Sequence, residues 1–287
     1  MELIMKEMKA SKARKSVIIS PFIDGMKKMA ANMYRLGWDE RNGGNISYLL
    51  SKDELDAYID TDRVLRRIPL SFSARPLAGK YFLVTGTGKY FKNIADNPED
   101  CLGIIRISQS GDNAELLWGY NSGGKMTSEF PAHMMSHVAR LSVDKENRIV
   151  IHTHPTNLLA MNYIHELDEA KTSHTLWQMC TECITVFPEG VGVLPWMLCG
   201  TNEIGEATAE KLKEFRLVIW ALHGVYGAGK SFDDAFGLIE TVEKAAQIYM
   251  LTSHMPRINT ISNEQLIRLA EHFKINYRKE FLEIKVK

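Results

Sequence analysis

The stretch from Pro21 to Leu36 carries apolar side chains three or four positions apart, a spacing that places them on one face of a helix. Gly37 follows directly, and glycine commonly ends a helix because it accepts a left-handed backbone. We therefore predict an amphipathic helix over residues 21–36, with its apolar face packed in the core. The positions on that face are Phe22, Met26, Met29, Met33 and Leu36.

The first half of the chain then gives strand signals. Short apolar runs end at Leu50, cover residues 81–84, and occupy residues 102–107 and 114–120 around a Ser-Gly-Asp-Asn segment. The last two runs predict a hairpin, because turn residues separate two segments rich in strand formers. Residues 51–67 are rich in charge, and we predict that they form a surface excursion.

The later half alternates helical and strand patterns. Helices are predicted over residues 129–141, 156–179, 203–215 and 231–250, and apolar strands are predicted to begin at Arg148, Cys183 and Leu217. Strands of mixed order between helices favour an α/β or α+β sandwich over eight regular βα units. We expect residues 1–287 to form a single domain, with a less ordered basic stretch at residues 1–20.

Composition excludes several classes of protein. Lys plus Arg equals Asp plus Glu at 35 each, so no net charge attracts nucleic acid or an anionic membrane. No apolar run approaches the roughly 18 residues of a membrane span, and the run after Lys15 is too short for a signal peptide. Among four cysteines, Cys180 and Cys183 form the only close pair. We interpret all four as reduced core thiols of a cytoplasmic protein.

The most informative motif is a pair of histidines at the end of an apolar run. His152 and His154 follow residues 148–151, and side chains two apart on a strand point to the same face. His223 ends a second apolar run, residues 217–222, and is the candidate third donor. Three imidazoles with one open position form the ligand set of a catalytic zinc. The alternative is that each histidine is simply a hydrogen-bonded polar residue at a strand end.

Two glycine-rich segments raise the possibility of an anionic substrate. Residues 85–89 read Thr-Gly-Thr-Gly-Lys after a strand, and residues 42–45 read Asn-Gly-Gly-Asn. Glycine and asparagine are also what tight turns require, so each segment alone is explained by turn geometry. As binding loops, they would expose backbone N–H groups to an anion, with help from the hydroxyl of Thr87. Together with a metal candidate, they favour a phosphorylated substrate.

A third glycine-rich segment, residues 224–231, matches the phosphate-binding loop of nucleotide hydrolases. Only 56 residues follow Ser231 and they have helical patterns. Such a domain needs several further strands, one of them ending in a magnesium-binding carboxylate. We therefore reject an ATPase or kinase, and with it a nucleotide-binding role for Lys230.

Glu129 opens the predicted helix that carries His133 and His137. One interpretation is structural, since Ser and Glu often cap helices and the two histidines, four residues apart, could form a polar stripe. The functional interpretation is that a glutamate at a helix start, near a metal, transfers protons.

Taken together, these motifs resemble the zinc-dependent class II aldolases in order and spacing. The likeness covers nearly the whole chain from Pro21, and it weakens at the basic N-terminus and over residues 51–67. Thr87 stands where the family often has serine, which preserves a hydroxyl. The segments that carry the resemblance are residues 38–45, 84–89, 127–133, 152–154, 187–192, 194–197, 200–205 and 222–225.

The resemblance implies a mixed α/β sandwich around a central, largely antiparallel sheet, and a homotetramer with active sites between neighbouring subunits. It implies one zinc ion per subunit, bound by His152, His154 and His223, with Glu129 as the acid and base. It also implies that Glu182 is a second carboxylate that serves the aldehyde half of the substrate, across the subunit interface. The residues implied to hold phosphate and hydroxyl groups are Asn42, Gly43, Asn45, Thr87, Gly88 and Ser128.

The resemblance further implies a lyase of L-rhamnose catabolism that reversibly cleaves L-rhamnulose 1-phosphate into dihydroxyacetone phosphate and L-lactaldehyde. Fuculose-phosphate aldolases and ribulose-phosphate 4-epimerases share the metal site and are alternatives. A Schiff-base aldolase would use a lysine instead. The family's fold also serves as a non-catalytic scaffold in adducin-like proteins, but a scaffold has no use for an open metal position.

Overall fold

The computed structural model describes residues 14–283, and its centre is a nine-stranded sheet. The strand order is β2-β5-β4-β3-β1-β6-β9-β8-β7, and only the pair β7 and β8 is parallel. The predicted mixed α/β fold with a largely antiparallel central sheet is therefore confirmed. The strands are β1 Asn45–Leu50, β2 Arg66–Pro69, β3 Tyr81–Thr85, β4 Leu102–Ile107, β5 Asn113–Gly119, β6 Ile149–Thr153, β7 Gly192–Leu194, β8 Leu217–Trp220 and β9 Gly224–Gly229.

Helices flank the sheet. Of the stretch predicted to be less ordered, residues 1–13 lie outside the described residues. The α-helices are α1 Pro21–Leu36, α2 Lys52–Leu55, α3 Pro98–Cys101, α4 Phe130–Val143, α5 Thr156–Met161, α6 Glu169–Trp177, α7 Cys183–Val186, α8 Asn202–Lys211, α9 Phe232–Thr252 and α10 Asn263–His272. Short 3-10 turns occur at Val17–Ile19, Arg75–Leu77, Phe91–Asn93 and Lys279–Leu282.

Helix α1 has the bounds that the sequence predicts. The Ser20 side chain accepts a hydrogen bond from the backbone N–H of Ile23, and Gly37 ends the helix at φ 75°. The three methionines on its inner face are buried in the main core, whereas Leu36 at its end is exposed. The β4–β5 hairpin is confirmed as well.

Two predictions about elements are wrong. Residues 156–179 form two helices rather than one, because Asp168 accepts a hydrogen bond from the N–H of Lys171 at 2.8 Å and starts a new helix. The segment that begins at Cys183 is a helical turn, and the next strand begins only at Gly192. A short apolar run does not distinguish a buried strand from a buried helix. Residues 51–67 are mostly exposed, as predicted, although they bury Leu55 in the core.

The segment that resembles a nucleotide-binding loop is strand β9, paired with β6 on one side and β8 on the other. Its backbone groups are therefore engaged in the sheet and do not form a loop around phosphates. Its glycines have a packing cause, since a Cβ at Gly227 would lie 2.8 Å from Ile239 and one at Gly229 would lie 2.6 Å from the nitrogen of Ala235. Rejection of the nucleotide-binding role is thus consistent with the fold.

The cysteines differ in exposure. Cys101 and Cys183 are buried, Cys180 is half-buried and Cys199 is exposed, and all four are free thiols. The prediction of core thiols is therefore wrong for Cys199, which lies in the loop before α8. Within residues 14–283, no helix has the length and apolar character needed to cross a bilayer.

Candidate metal centre

One edge of the sheet gathers the candidate residues, because neighbouring strands run in opposite directions. Asn45 at the start of β1 pairs with His152 at the end of β6, and His152 pairs with Tyr226 near the start of β9. Strand β3 ends at the same edge, where the hydroxyl of Thr85 accepts from the N–H of Ile46 at 3.1 Å. Sheet register thus brings together residues that are far apart in sequence.

The three predicted histidines form a cluster at this edge. Ligand nitrogens of His152, His154 and His223 all lie within 4.8 Å of one another. The Nε2 atoms of His152 and His154 are 3.2 Å apart. Two ligands bound about 2.0–2.1 Å from one tetrahedral zinc would be about 3.3 Å apart, so this spacing fits a shared cation.

The other ring nitrogen of two of these histidines has a partner that fixes the ring. Nδ1 of His152 donates to the carbonyl of Val225 at 3.0 Å, and Nδ1 of His154 lies 3.0 Å from a carboxylate oxygen of Glu40. Each contact leaves the Nε2 lone pair directed into the cluster, as in metal sites whose histidines are oriented from behind. No local sequence pattern identifies Glu40 as this partner, although it lies within the segment 38–45 that carries the resemblance.

His223 is held by an unusual backbone. Leu222 has φ 62°, a left-handed conformation that is costly for a residue with a branched side chain. Its N–H donates to Oδ1 of Asn162 at 3.3 Å, and the N–H of His223 donates to the carbonyl of Trp220 at 3.0 Å. The turn therefore points the imidazole back towards β6.

Burial favours the neutral form of two of the imidazoles, His152 and His223. Desolvation, followed by the neighbouring His154 charge, lowers the pKa of His152 well below its usual value and that of His223 to about 4. A neutral imidazole has the free lone pair that a metal ion requires. The residues present therefore fit a divalent cation.

Glu129 lies beside the cluster and is only 7% exposed. Its Oε2 accepts from Nδ2 of Asn45 at 3.2 Å and from the hydroxyl of Tyr226 at 3.0 Å, and lies 3.5 Å from Nε2 of His152. Its Oε1 lies 4.0 Å from Nε2 of His223. The side chain makes no capping hydrogen bond to helix α4, so the structural interpretation of Glu129 is wrong.

The pKa of Glu129 is raised by burial, and the hydrogen bonds from Asn45 and Tyr226 oppose that rise. Its environment therefore holds the carboxyl closer to neutrality than an exposed glutamate, which suits a group that both gives and takes a proton. No local sequence pattern identifies Tyr226, because its partner Glu129 lies 97 positions away.

The glycine-rich loops lie at the same edge. The N–H of Thr87 donates to the carbonyl of Lys125 at 2.9 Å, which ties residues 85–89 to the segment before Ser128. A Cβ on Gly43 would lie 3.0 Å from the His154 ring, and one on Gly44 would lie 1.7 Å from Oδ1 of Asp39. Thr87 is half-buried, whereas Asn42, Gly88 and Ser128 are exposed. Residues 42–45 thus lie against the histidines, and residues 85–89 are tied to the segment that leads to Glu129.

Glu182 is different. It is exposed and precedes α7, and its Oε2 accepts from the thiol of Cys180 at 2.7 Å. Among the polar contacts of residues 14–283, none joins Glu182 to the three histidines or to Glu129. One chain therefore does not assemble the complete predicted residue set.

The chain matches the family model described as Class II Aldolase and Adducin N-terminal domain over residues 25–250. It is 56% identical over 269 residues to a rhamnulose-1-phosphate aldolase of Listeria monocytogenes, covering 93% of this chain and 98% of the relative. The values for a rhamnulose-1-phosphate aldolase of Enterococcus faecalis are 56% over 272 residues, 94% and 98%. A solved sugar-phosphate aldolase from Thermotoga maritima superposes with a TM-score of 0.71 at 29% identity, covering 83% of this chain and 97% of that one. The range matched by the family model includes the whole candidate site.

Proposed function

The chain belongs to the class II aldolase and adducin family, and we propose that it is a lyase that reversibly cleaves L-rhamnulose 1-phosphate into dihydroxyacetone phosphate and L-lactaldehyde. The observation that carries the proposal is the buried carboxyl of Glu129 set 3.5 Å from Nε2 of His152, at the edge of a three-histidine cluster. Identity of 56% to rhamnulose-1-phosphate aldolases over nearly the whole chain supports the choice of sugar. The reaction would serve L-rhamnose catabolism.

The cation that we propose is zinc, one per subunit, held by His152, His154 and His223. Three imidazoles with a free position favour zinc over magnesium or calcium, which prefer oxygen ligands. When bound, the ion supplies a Lewis acid for the negative charge that develops on substrate oxygens as the C3–C4 bond breaks.

Glu129 performs the proton transfer in this proposal. In the cleavage direction it gives a proton to C3 of the three-carbon fragment, and in the synthesis direction it removes that proton. Tyr226 and Asn45 hold the carboxyl in place by donating to Oε2, so that it does not rotate away from the substrate. Burial of Glu129 excludes water that would otherwise compete for the proton.

The phosphate and hydroxyl groups of the substrate are proposed to bind to the loops at the sheet edge. The backbone N–H at Gly88 and the side chains of Asn42, Thr87 and Ser128 supply neutral donors, while Asn45 contributes its amide. The N–H of Gly43 donates to the carbonyl of Glu40 at 2.8 Å, so Gly43 shapes the loop rather than donating to the ligand. Exposure of Asn42, Gly88 and Ser128 leaves them accessible to a ligand.

We also propose that the chain is a single-domain cytoplasmic protein that assembles as a homotetramer, with Glu182 acting on the aldehyde half in a neighbouring subunit. The exposed Trp196 and Leu198 support an interface near the site, because their loop passes Ser128 at Gly200. Four free thiols are typical of a reducing compartment.

The alternatives are a fuculose-phosphate aldolase, a ribulose-phosphate 4-epimerase and an adducin-like scaffold. The experiment is dihydroxyacetone phosphate release from L-rhamnulose 1-phosphate and, separately, L-fuculose 1-phosphate, with and without a chelator. We expect chelator-sensitive release that favours the rhamnulose ester. Preference for the fuculose ester would reassign the sugar, and no release from folded, zinc-loaded protein would favour an epimerase or a scaffold. Borohydride trapping with substrate would expose a Schiff-base lysine.

A further inference from the structure

A continuous line of hydrogen bonds runs behind Glu129 through the protein interior. Nδ2 of Asn45 donates to Oε2 of Glu129, and Oδ1 of Asn45 contacts Nε2 of His133. Nδ1 of His133 lies 2.7 Å from Oγ of Ser47, and that oxygen lies 2.8 Å from Nε2 of His137. Ser47, His133 and His137 have no measurable exposure, so the two histidines form a buried polar pair on one face of helix α4.

The protons in this line have one consistent arrangement. An ionised Glu129 only accepts, so the Asn45 amide must turn Nδ2 towards it and Oδ1 towards His133. Nε2 of His133 must then carry the proton. Burial lowers the pKa of both histidines, so His133 is neutral and its bare Nδ1 accepts from the hydroxyl of Ser47. Ser47 in turn accepts from Nε2–H of His137.

The far end of the line agrees with this direction. A neutral His137 with its proton on Nε2 has a bare Nδ1, and that atom is buried without a hydrogen-bond partner among the described residues. A buried nitrogen acceptor without a partner is less unfavourable than a buried N–H donor without one. The Phe82 ring packs against the His137 imidazole at a centroid distance of 4.9 Å.

We propose that His133 is a positioning residue, which acts with Ser47 and His137 to lock the Asn45 amide in the orientation that anchors Glu129. The proposal rests on the role assigned to Glu129 above and adds a cause for its geometry. With Oε2 held by Asn45 and Tyr226, Oε1 is the carboxyl oxygen that has no hydrogen bond to any described residue. Oε1 is therefore the atom that exchanges the proton with the substrate carbon.

The test compares two substitutions of the same residue. His133→Leu removes the donor to Asn45, whereas His133→Gln retains an N–H that can reach the position of Nε2. We expect His133→Leu to lower kcat about 10–100-fold with a smaller change in KM, and His133→Gln to recover most of the loss. Zinc content should be unchanged in both, since neither substitution touches the three ligands.

Two milder variants guard against a folding defect. Ser47→Ala removes the link between the two histidines, and we expect it to lower kcat less than His133→Leu. Ser136→Ala is the matched control, because it removes an equally buried hydroxyl from helix α4, which carries both histidines, without touching the line. Equal kcat in the folded, zinc-loaded Leu and Gln variants, or equal losses in Ser47→Ala and Ser136→Ala, would overturn the proposal.

Two further readouts separate this proposal from the reaction itself. Exchange of the C3 proton of dihydroxyacetone phosphate in deuterated water reports the Glu129 step alone, and we expect wild type to exchange it and His133→Leu to be slowed. If wild type neither exchanges nor cleaves, the proposed function fails; if both proteins exchange equally, only the positioning role fails. Nitrogen-15 spectra of the labelled histidines should show His133 and His137 protonated on Nε2, and a proton on Nδ1 of His133 contradicts the proposal.

Discussion

Glu129 and Glu182 are the two carboxylates assigned to the chemistry, and they lie in opposite environments. Glu129 is buried at the sheet edge, receives hydrogen bonds from Asn45 and Tyr226, and has its pKa raised by desolvation. Glu182 is exposed, and the thiol of Cys180 and a backbone N–H that donate to it lower its pKa. A raised pKa lets a carboxyl hold a proton more readily, which suits proton transfer, whereas a lowered pKa favours the ionised form.

The contrast shows that one chain fixes only the inner half of the proposed site, which consists of the three histidines, Glu129 and Asn45, whereas Glu182 is its outer half. The histidines, Glu129 and Asn45 are fixed by strand register and by partners that are themselves buried. Glu182 has only local contacts, with Cys180 and the turn that follows it. Its proposed role therefore depends on a neighbouring subunit, which would have to bury it to change its pKa.

The largest expected effect comes from Glu129→Gln. Glutamine keeps the size of the side chain and can accept from Asn45 and Tyr226, but it cannot exchange a proton. We expect turnover to fall about 10²–10⁴-fold, as for loss of a general acid and base, with zinc retained at the wild-type level. Near-wild-type turnover of the zinc-loaded variant would remove Glu129 from this role. The difference in environment between Glu129 and Glu182 would then not reflect a difference in function.

His223→Ala tests whether the inner half depends on a shared cation. Two imidazoles remain after the substitution, so we expect zinc to be lost on dialysis and turnover to fall with it, by about 10²-fold or more. Metal analysis of the purified variant is the measurement. Normal zinc content would mean that another residue is the third ligand, and Cys199 is a candidate, because its thiol lies within 4.8 Å of ligand atoms on Glu129 and His223.

The same division explains how much the sequence could predict. The His-x-His pair and Glu129 were identifiable because strand periodicity and a helix start reveal them locally. The partners Tyr226 and Ser47 were not, since Ser47 meets His133 across 86 positions and only sheet register brings them together. The strand predicted at Cys183 failed because a short apolar run has no periodicity to distinguish a helical turn from a strand.

Glu182→Gln tests the outer half. We expect turnover to fall roughly tenfold to a hundredfold, which is less than for Glu129→Gln. The free energy of unfolding should be unchanged, because the side chain is exposed. Mixing the Glu129→Gln and Glu182→Gln proteins, after dissociation and reassembly, tests whether Glu182 acts in the site of its own subunit or of a neighbour. If it serves a neighbouring subunit, mixed oligomers contain some sites with both carboxylates and regain activity. Activity no greater than the average of the two parents would place both carboxylates in one chain's site.

Substitution of Asp39 tests whether burial alone is enough to raise the pKa of a carboxyl at this edge of the sheet. Desolvation raises its pKa to about 8, against the opposing hydrogen bond from Thr153, and Oδ2 has no partner among the described residues. Folded protein therefore keeps a proton that the unfolded chain releases near pH 4, and stability falls as pH rises from about 4 to about 8. We expect Asp39→Asn, without metal, to lose less stability over that range, by on the order of 5 kcal/mol.

Urea unfolding of chelator-treated protein at several pH values measures this difference. Asp53→Asn, at an exposed position, controls for the loss of one carboxylate and should leave the pH dependence of stability unchanged. Parallel curves of stability against pH for wild type and Asp39→Asn would show that Asp39 is ionised in the folded protein. Burial at this edge of the sheet would then not by itself raise the pKa of a carboxyl.

The smallest effect is expected from Lys230→Ala, which asks whether an exposed charge with only local partners matters to the reaction. Lys230 follows strand β9 and pairs with Glu146 at 2.5 Å and with Asp144 at 3.9 Å, and these carboxylates raise its pKa. Neither partner belongs to the site, and exposed ion pairs contribute little to stability because solvent screens them. We expect turnover within about twofold of wild type. A complete loss of turnover would favour the nucleotide-binding interpretation of residues 224–231. It would also show that the exposure of a side chain does not indicate its function in this chain. The distinction drawn between Glu129 and Glu182 would then be weaker.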